Sequence, residues 1–389
     1  MTVPVAVTGI GVVSAFGVGV EAFWHGLLGG RGGLGPARRV VAPHDLPVGE
    51  VDLGDPRAFA QGPQSRRIDR TSLLALAAAR LALSDAGIAP ADLDGARTGL
   101  AIGSAAGNVG ETATFLDRLA ERGTGTPLLF PNLVMNAPLS YVSMELGITG
   151  PGAMLSEQEV SGEAALAWGA RLVADGAVDL CLAGASDEVT TGLLRLRLET
   201  RTIGHGMPRP LDIAADGPAL GEGAAVLLLE PAARAARRGA RVYGHLVPHD
   251  GFGIRAPVHG WPIDGSESAA RLGDVACDAD LVVAAANGCA ALDAFEADTI
   301  ARMLAGRRVP VTAPRGAIGD FGAAGALATA AAVLSVHHGV APPTPGCRLP
   351  ARRDLDVVVD TPRAAPLRIA LVDGLARGGL CRPLRIEAP

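Results

Sequence analysis

The sequence contains no lysine, and all 34 of its lysine-or-arginine residues are arginine. Chemistry that needs a lysine amine, such as a Schiff base or the lysine of a phosphate-binding P-loop, is therefore excluded. Acidic residues number 40 and the formal net charge is −6, so a general nucleic-acid binder is not expected. We attribute the missing lysine to biased genome composition rather than to mechanism.

Cysteine and long apolar runs are also scarce. Five cysteines are scattered along the chain without a C-x-x-C pair, which indicates reduced thiols and a cytoplasmic setting. No uninterrupted apolar run reaches the roughly 18 residues of a membrane span, and the N-terminal segment lacks the basic stretch of a signal peptide. We therefore expect no membrane association, no metal and no cofactor.

The chain is nevertheless rich in material for a core, since 49% of its 389 residues are hydrophobic. Strand and helix patterns alternate twice along it, which predicts an α/β protein with two similar halves. Predicted strands cover 3–8, 99–103, 224–229, 280–286, 309–312, about 355–359 and a closing strand at 368–372. Predicted helices cover 20–28, 71–86, 111–122, 139–146, 160–174, 295–304 and 325–338, with loops at 127–131 and 193–205.

A glycine pair follows the first strand, in Thr8-Gly9-Ile10-Gly11. A dinucleotide-binding turn would need a third glycine three residues later, but Gly17 comes six residues after Gly11. We therefore reject nucleotide binding at this turn.

The most informative stretch runs from Gly150 to Asp187 and predicts a strand, a tight elbow, a helix and a second strand. It resembles the nucleophile elbow of β-ketoacyl synthases, and an ungapped comparison places Glu159 where those enzymes carry their cysteine. A shift of one residue places Gln158 there instead. In either case the thiol is missing. Glu159 also fits a capping box with Ser156 at the start of the helix.

A second retained motif follows at Arg209-Pro210-Leu211-Asp212 and Gly221-Glu222-Gly223-Ala224. It resembles the "Arg-Pro-Phe-Asp … Gly-Glu-Gly-Ala" of the same family. The resemblance extends over nearly the whole chain. It implies a thiolase-like αβαβα layered sandwich with two pseudo-duplicated halves, residues 1–246 and 247–389.

The remaining catalytic positions of the family have also changed. Asn287 stands in place of the first histidine, Arg315 in place of the lysine, and Asp320 in place of the second histidine. Two carboxylates in one pocket repel each other unless cations pair with them. We therefore predict that Glu159 and Asp320 form a salt-linked plug with Arg315 or Arg377. The alternative is that each carboxylate only caps a backbone turn.

A ketosynthase-like chain without these groups resembles the chain length factor, or KSβ subunit, of type II polyketide synthases. The resemblance implies no activity of its own, and a heterodimer with a catalytic ketosynthase that is served by an acyl carrier protein. It also implies a helix that limits product length, here through Thr112, Phe115 and Leu119. Ordinary core packing is the alternative role for these three. The small Thr112 favours a long, slim product such as the polyene of a highly reducing system, with an aromatic polyketide as the other option.

Two other functions stay open from the sequence. One is a thiolase-fold acyltransferase or decarboxylase that acts alone through Glu159 or Cys289, although Cys289 fits a packing role better. The other is a homodimeric scaffold. Three arginines, Arg66, Arg67 and Arg70, could contact an acidic carrier protein, or could simply be solvated.

Overall fold

Strands and helices alternate along the whole chain in this computed structural model, which describes residues 3–43, 46–61 and 67–389. The described strands are β1 Val5–Ser14, β2 Gly17–Val18, β3 Gly35–Pro36, β4 Pro47–Val48, β5 Thr98–Gly103, β6 Gly152–Leu155, β7 Leu180–Asp187, β8 Gly223–Pro231, β9 Gly244–Pro248, β10 Phe252–Gly253, β11 Leu281–Val283, β12 Pro310–Thr312, β13 Val340–Ala341, β14 Asp356–Val357, β15 Arg363–Ala364, β16 Ile369–Val372, β17 Leu375–Ala376, β18 Leu380–Cys381 and β19 Leu384–Glu387.

The α-helices vary from single turns to four turns in length. Those described are α1 Val20–Leu28, α2 Arg70–Asp85, α3 Val109–Arg122, α4 Ala137–Leu146, α5 Ser161–Ala174, α6 Thr191–Glu199, α7 Ala232–Arg237, α8 Ser266–Ala276, α9 Ala290–Leu304, α10 Arg315–Ile318 and α11 Ala324–His338. Among the described residues, none of the helices is long and apolar enough to cross a membrane.

The main sheet joins two similar halves. Its order is β14-β12-β11-β16-β19-β9-β1-β8-β7-β5-β6, with β2 paired to β1 at the side. Each half is parallel at its outer strands and antiparallel toward the middle, and the halves meet where β1 pairs with β9. This arrangement confirms the predicted α/β fold with a repeated plan.

Helices α5 and α11 form the middle layer of the molecule. Both pack against each other and against strands of both halves, and α11 is buried from Ala324 to Val336. Helix α2 covers the outer face of the first half, and α8 and α9 cover that of the second. The layers therefore follow the predicted αβαβα sandwich.

The glycine pair near the N-terminus serves packing instead of nucleotide binding. Strand β1 continues through Gly9 and Gly11, six residues beyond the predicted strand end. A Cβ atom at either glycine would clash with a backbone carbonyl of α2, at Ala82 and Ala78 respectively. The two glycines thus allow α2 to lie directly on the sheet.

Several predicted elements need correction. The segment 193–205, predicted as a polar connection, instead contains most of α6. This helix is capped by Thr190, whose side chain accepts a hydrogen bond from the Leu193 N–H. The predicted loop at 127–131 is a 3₁₀-helix, Pro127–Asn132. The strand at 368–372 does not close the sheet, because β19 follows and inserts between β16 and β9. Helix α8 was not predicted at all.

The strand ends converge on one region. The elbow follows β6, Asp187 ends β7, Arg315 follows β12 and Asp373 follows β16. Carboxyl ends of parallel strands are the usual place for a site in α/β proteins. Glu159 and Arg315, predicted from the family motifs, follow β6 and β12 at these ends.

Candidate functional site

The elbow between β6 and α5 has a strained residue at its apex. Gln158 adopts φ 54°, a left-handed conformation that a non-glycine residue seldom takes, and its side chain is exposed. The next residue, Glu159, is only 6% exposed. The two neighbouring side chains therefore point in different directions, that of Gln158 outward and that of Glu159 into the protein.

The predicted capping box at the elbow is wrong. No side chain caps the N-terminus of α5, and the turn is closed by Ser161, whose hydroxyl accepts the Glu157 N–H (2.9 Å) and donates to the Gln158 carbonyl (2.7 Å). Glu159 is not available as a cap because its carboxylate binds Arg377. The Arg377 guanidinium lies 2.7 Å from Glu159 Oε1, and the Arg377 N–H donates to Oε2 at 3.2 Å.

A second ion pair lies deeper, between Arg315 and Asp320. The two groups are 3.1 Å apart, and each is at most 3% exposed. Arg315 also donates to the backbone carbonyl of Glu159 at 3.3 Å, which connects the two pairs. Burial acts to raise the pKa of the Asp320 carboxyl, but the guanidiniums of Arg315, Arg377 and Arg197 outweigh it and hold that pKa below its usual value. The four residues predicted for the plug thus lie together.

One member of this cluster was missed from the sequence. Glu163, in α5, is buried, and its carboxylate lies 3.9 Å from Arg315. Burial raises its pKa to about 7, although Arg315 opposes the shift. Its position above Gly325 is tight, since a Cβ on that glycine would overlap the carboxylate. No local pattern pointed to Glu163, because Glu159 precedes α5 and the two acids do not share a helix face.

The cluster borders a cavity of about 440 Å³. Apolar side chains form much of its wall, and its charged lining residues include Glu159, Asp320 and Arg377. Its described lining includes no cysteine. The residues that line it are Ala105, Ala106, Val109, Gln158, Glu159, Asp187, Glu188, Leu193, Arg197, Leu220, His259, Asp320, Phe321, Gly322 and Arg377.

Comparison with known proteins identifies the family of this fold. The family model of the β-ketoacyl synthase N-terminal domain matches residues 2–235, and the model of the C-terminal domain matches residues 240–348. The chain belongs to the β-ketoacyl synthase family. The resemblance inferred from its motifs is thereby confirmed.

Relatives of this ketosynthase-like chain include subunits of polyketide synthases. The tetracenomycin polyketide synthase ketoacyl synthase beta subunit of Streptomyces glaucescens is 32% identical, over 97% of this chain and 96% of the relative. The actinorhodin polyketide putative β-ketoacyl synthase 2 of Streptomyces coelicolor is also 32% identical, over 96% and 95%. The solved ishigamide ketosynthase/chain length factor superimposes with a TM-score of 0.92 at 26% identity, and each chain is fully covered. The alpha subunit of the tetracenomycin enzyme is equally similar in sequence, so overall identity does not separate the two subunit types.

Two further motif positions, Asn287 and Asp293, are buried and accept hydrogen bonds from backbone N–H groups. Asn287, in the position of the first histidine, is 1% exposed, and its Oδ1 accepts the Cys289 N–H at 2.9 Å. Asp293 accepts the N–H groups of Leu211 and Asn287. Burial raises the pKa of the Asp293 carboxyl to about 7, although these hydrogen bonds act to lower it. These side chains therefore hold the loops in place and present no nucleophile.

Two further acids lie beneath the plug, Glu296 and Asp373. Both are fully buried, and burial raises the pKa of each carboxyl, that of Asp373 to about 6. The Ala285 N–H donates to Glu296 at 2.7 Å. Arg315 pairs with Asp320 and Glu163 instead, and no described arginine forms an ion pair with Glu296 or Asp373. Two neighbouring buried carboxyls avoid repulsion when at least one of them is protonated.

The raised pKa of one cavity-lining acid predicts a pH dependence of stability. Burial raises the pKa of Glu188 to about 7, with Arg39 and the Gly110 N–H opposing the shift and Asp69 and Glu222 adding to it. Folding therefore takes up a proton between pH 4.5 and 7, so this group's contribution to stability is lost as pH rises through that window. We expect Glu188→Gln to stabilise the protein by about 2 kcal/mol at pH 8 and by little at pH 4.5. Urea unfolding at the two pH values tests this, with exposed Glu199→Gln as the control. Equal effects at both pH values would contradict it.

The residues predicted to limit product length lie on an exposed helix. Among its described residues α3 has none that is buried, so core packing within this chain is not their role. Thr112 is exposed and its hydroxyl donates to the Asn108 carbonyl, Phe115 packs over Gly125, and Leu119 is exposed. Val109, one turn before Thr112, lines the cavity.

Other candidates from the sequence have different surroundings. Arg70 is not a free surface cation, because it binds the buried Glu222 at 2.5 Å. Arg67 is exposed, and Arg66 lies outside the described residues. Cys289 packs at the edge of an apolar cluster around Phe295, as the packing hypothesis predicts. His259 lines the cavity, which no sequence pattern had indicated.

Proposed function

We propose that this chain is the non-catalytic chain-length-factor subunit of a type II polyketide synthase, located in the cytoplasm. The observation that carries the proposal is an intact ketosynthase fold whose elbow presents Gln158 and Glu159 in place of a thiol. Since acyl transfer by this family needs a cysteine nucleophile, the chain would depend on a partner for it. The relatives include a protein described as a ketoacyl synthase beta subunit and a ketosynthase/chain length factor.

We assign the position of the family's cysteine to Gln158. A nucleophile elbow places its reactive residue on a sharp, strained turn between strand and helix, with the side chain exposed. Gln158 has the positive φ and the exposed side chain, whereas Glu159 is bound by Arg377. An amide at this place can donate and accept hydrogen bonds, but it cannot form a thioester.

We further propose that the chain pairs with a catalytic ketosynthase through a surface around α3 and β6. Strand β6 ends the sheet and, among the described strands, is hydrogen-bonded to β5 alone, so it leaves an edge that usually needs a partner. Exposed apolar side chains cluster nearby, on α3, on the 3₁₀-helix, in the turn that follows it and on α4. They are Leu116, Leu119, Leu128, Phe130, Val134, Met135 and Met144. Such a patch is typical of an interface.

We propose that Thr112, Phe115 and Leu119 face the acyl chain in this heterodimer. The support is their helix, which is unburied in this chain and borders the cavity at Val109. Thr112→Phe is expected to shorten the polyketide product by at least one two-carbon unit, because the larger ring would fill space near the cavity. Mass spectrometry of products tests this, with Glu121→Gln on the same helix as control. An unchanged product length would contradict a role for Thr112.

We keep the division into halves 1–246 and 247–389 as a proposal. The mirrored strand order supports it, although residue 246 lies inside β9, which is hydrogen-bonded to β1 of the first half and β19 of the second. The two halves would then form one cooperative unit.

Co-expression with the ketosynthase encoded beside this gene tests the function. A stable 1:1 complex in size-exclusion chromatography, which condenses acyl and malonyl carrier proteins while this chain alone does not, is the expected result. A homodimer that ignores the ketosynthase would contradict the proposal.

A further inference from the structure

Residues 254–265, here called the lid segment, border the cavity without forming a helix or a strand. The lid segment connects β10 to α8 and contributes His259 to the cavity wall. Its outer side has little contact with the protein, because Val258 is 78% exposed and Ile263 is 95% exposed. The position of the lid segment must therefore depend on the contacts of its inner side.

The inner contacts lead to the turn after β16. The Ile254 N–H donates to the Gly379 carbonyl at 2.8 Å, and the Gly378 N–H donates to the Gly260 carbonyl at 3.0 Å. Trp261 is buried beside Ile254 and Leu375. The lid segment thus rests on residues 374–379 through two hydrogen bonds and one aromatic side chain.

Arg377, within that turn, connects the lid segment to the elbow. Its guanidinium lies 5.8 Å from the centre of the Trp261 ring, within the range of a cation–π contact, and 2.7 Å from the Glu159 carboxylate. The Arg377 N–H adds a hydrogen bond to the same carboxylate. One side chain therefore joins three segments that are distant in sequence and that all border the cavity.

We propose that Arg377 is a latch that holds the lid segment against the elbow and keeps the thioester arm of an acyl carrier protein out of this cavity. The inference rests on the proposed function and extends it. A subunit that cannot form a thioester would otherwise compete with its partner for loaded carrier proteins. The latch places a guanidinium–carboxylate pair in the wall of the cavity, where a neutral arm would have to break it to enter.

Hydrogen–deuterium exchange of the full chain tests the latch directly. Arg377→Ala is expected to speed backbone exchange in residues 254–265 at least 10-fold. Trp261→Leu retains the Glu159 ion pair and some apolar packing, and is expected to give a smaller increase in the same residues. Arg382→Ala is the matched control, because the Arg382 side chain binds Glu157 on the same elbow at 2.6 Å and, among the described residues, forms no hydrogen bond or ion pair with the lid segment. In the Arg382→Ala variant, the backbone of the lid segment should exchange as fast as in the wild type.

A binding measurement tests the consequence. The wild-type chain should bind carrier protein with and without its pantetheine arm equally well, and Arg377→Ala should bind the armed form at least 5-fold more tightly. A wild-type preference for the armed form, or unchanged exchange in both Arg377→Ala and Trp261→Leu, would overturn the latch. Neither readout requires a ketosynthase, so failure of the latch is distinct from failure to form the proposed heterodimer.

Discussion

Arg315→Met is expected to lower the free energy of unfolding by about 3–5 kcal/mol, as removal of one partner from a buried ion pair usually does. The substitution keeps most of the side-chain volume but leaves Asp320 and Glu163 buried without their counter-ion. Chemical denaturation followed by circular dichroism measures the change. Arg315 is fully buried, so solvent cannot compensate for the lost charge.

Two further variants separate charge from shape. Arg315→Lys retains the charge and is expected to cost less than Arg315→Met. The triple variant Arg315→Met, Asp320→Asn, Glu163→Gln removes the stranded carboxylates together with the guanidinium, and is expected to recover much of the loss. An Arg315→Met variant as stable as the wild type would show that the plug contributes nothing to stability.

Charge placed in the apolar patch is expected to disrupt the heterodimer. Leu128 and Phe130 are 60% and 64% exposed, on a 3₁₀-helix that contacts α3. We expect the double variant Leu128→Glu, Phe130→Glu to weaken ketosynthase binding by about 100-fold or more, equivalent to roughly 2.7 kcal/mol, because central apolar side chains dominate such interfaces. Titration by isothermal calorimetry or interferometry measures this.

The control for that experiment lies on the lid segment. Ile263 is 95% exposed and outside the patch, so Ile263→Glu replaces an exposed apolar side chain by one glutamate, against two in the double variant, without touching the proposed interface. We expect its affinity for the ketosynthase to equal that of the wild type. Loss of binding in both variants would point to general misfolding. Retained ketosynthase binding in both would show that the interface lies elsewhere.

Family motifs predicted the fold and most of the plug from sequence. The altered positions Glu159, Arg315 and Asp320 could be found because their neighbours in the chain retain the family's glycines, and those glycines fix the loops. Arg377 was found in the same way, within a glycine-rich turn. Motif comparison works here because the backbone has been kept while the side chains changed.

The missed features have a common physical reason. Glu163 and Arg315 are 152 positions apart, and their contact depends on how the fold places α5 beside α10, which no local pattern encodes. Helix α6 buries only Leu194 and so lacks the apolar stripe by which a helix is normally recognised. The helix predicted at 71–86 is buried on most sides as α2, and the sequence pattern of the helix alone does not show that Gly9 and Gly11 bring the sheet against it.

Intact-mass spectrometry of both subunits is the most direct test of a non-catalytic role. The purified complex would be incubated with acyl carrier protein that carries a labelled acyl group, and the label on each subunit measured. We predict one acyl group on the ketosynthase and none on this chain, because Gln158 and Glu159 replace the thiol. A stoichiometric acyl adduct on this chain, at Cys289 or at any other residue, would contradict the account.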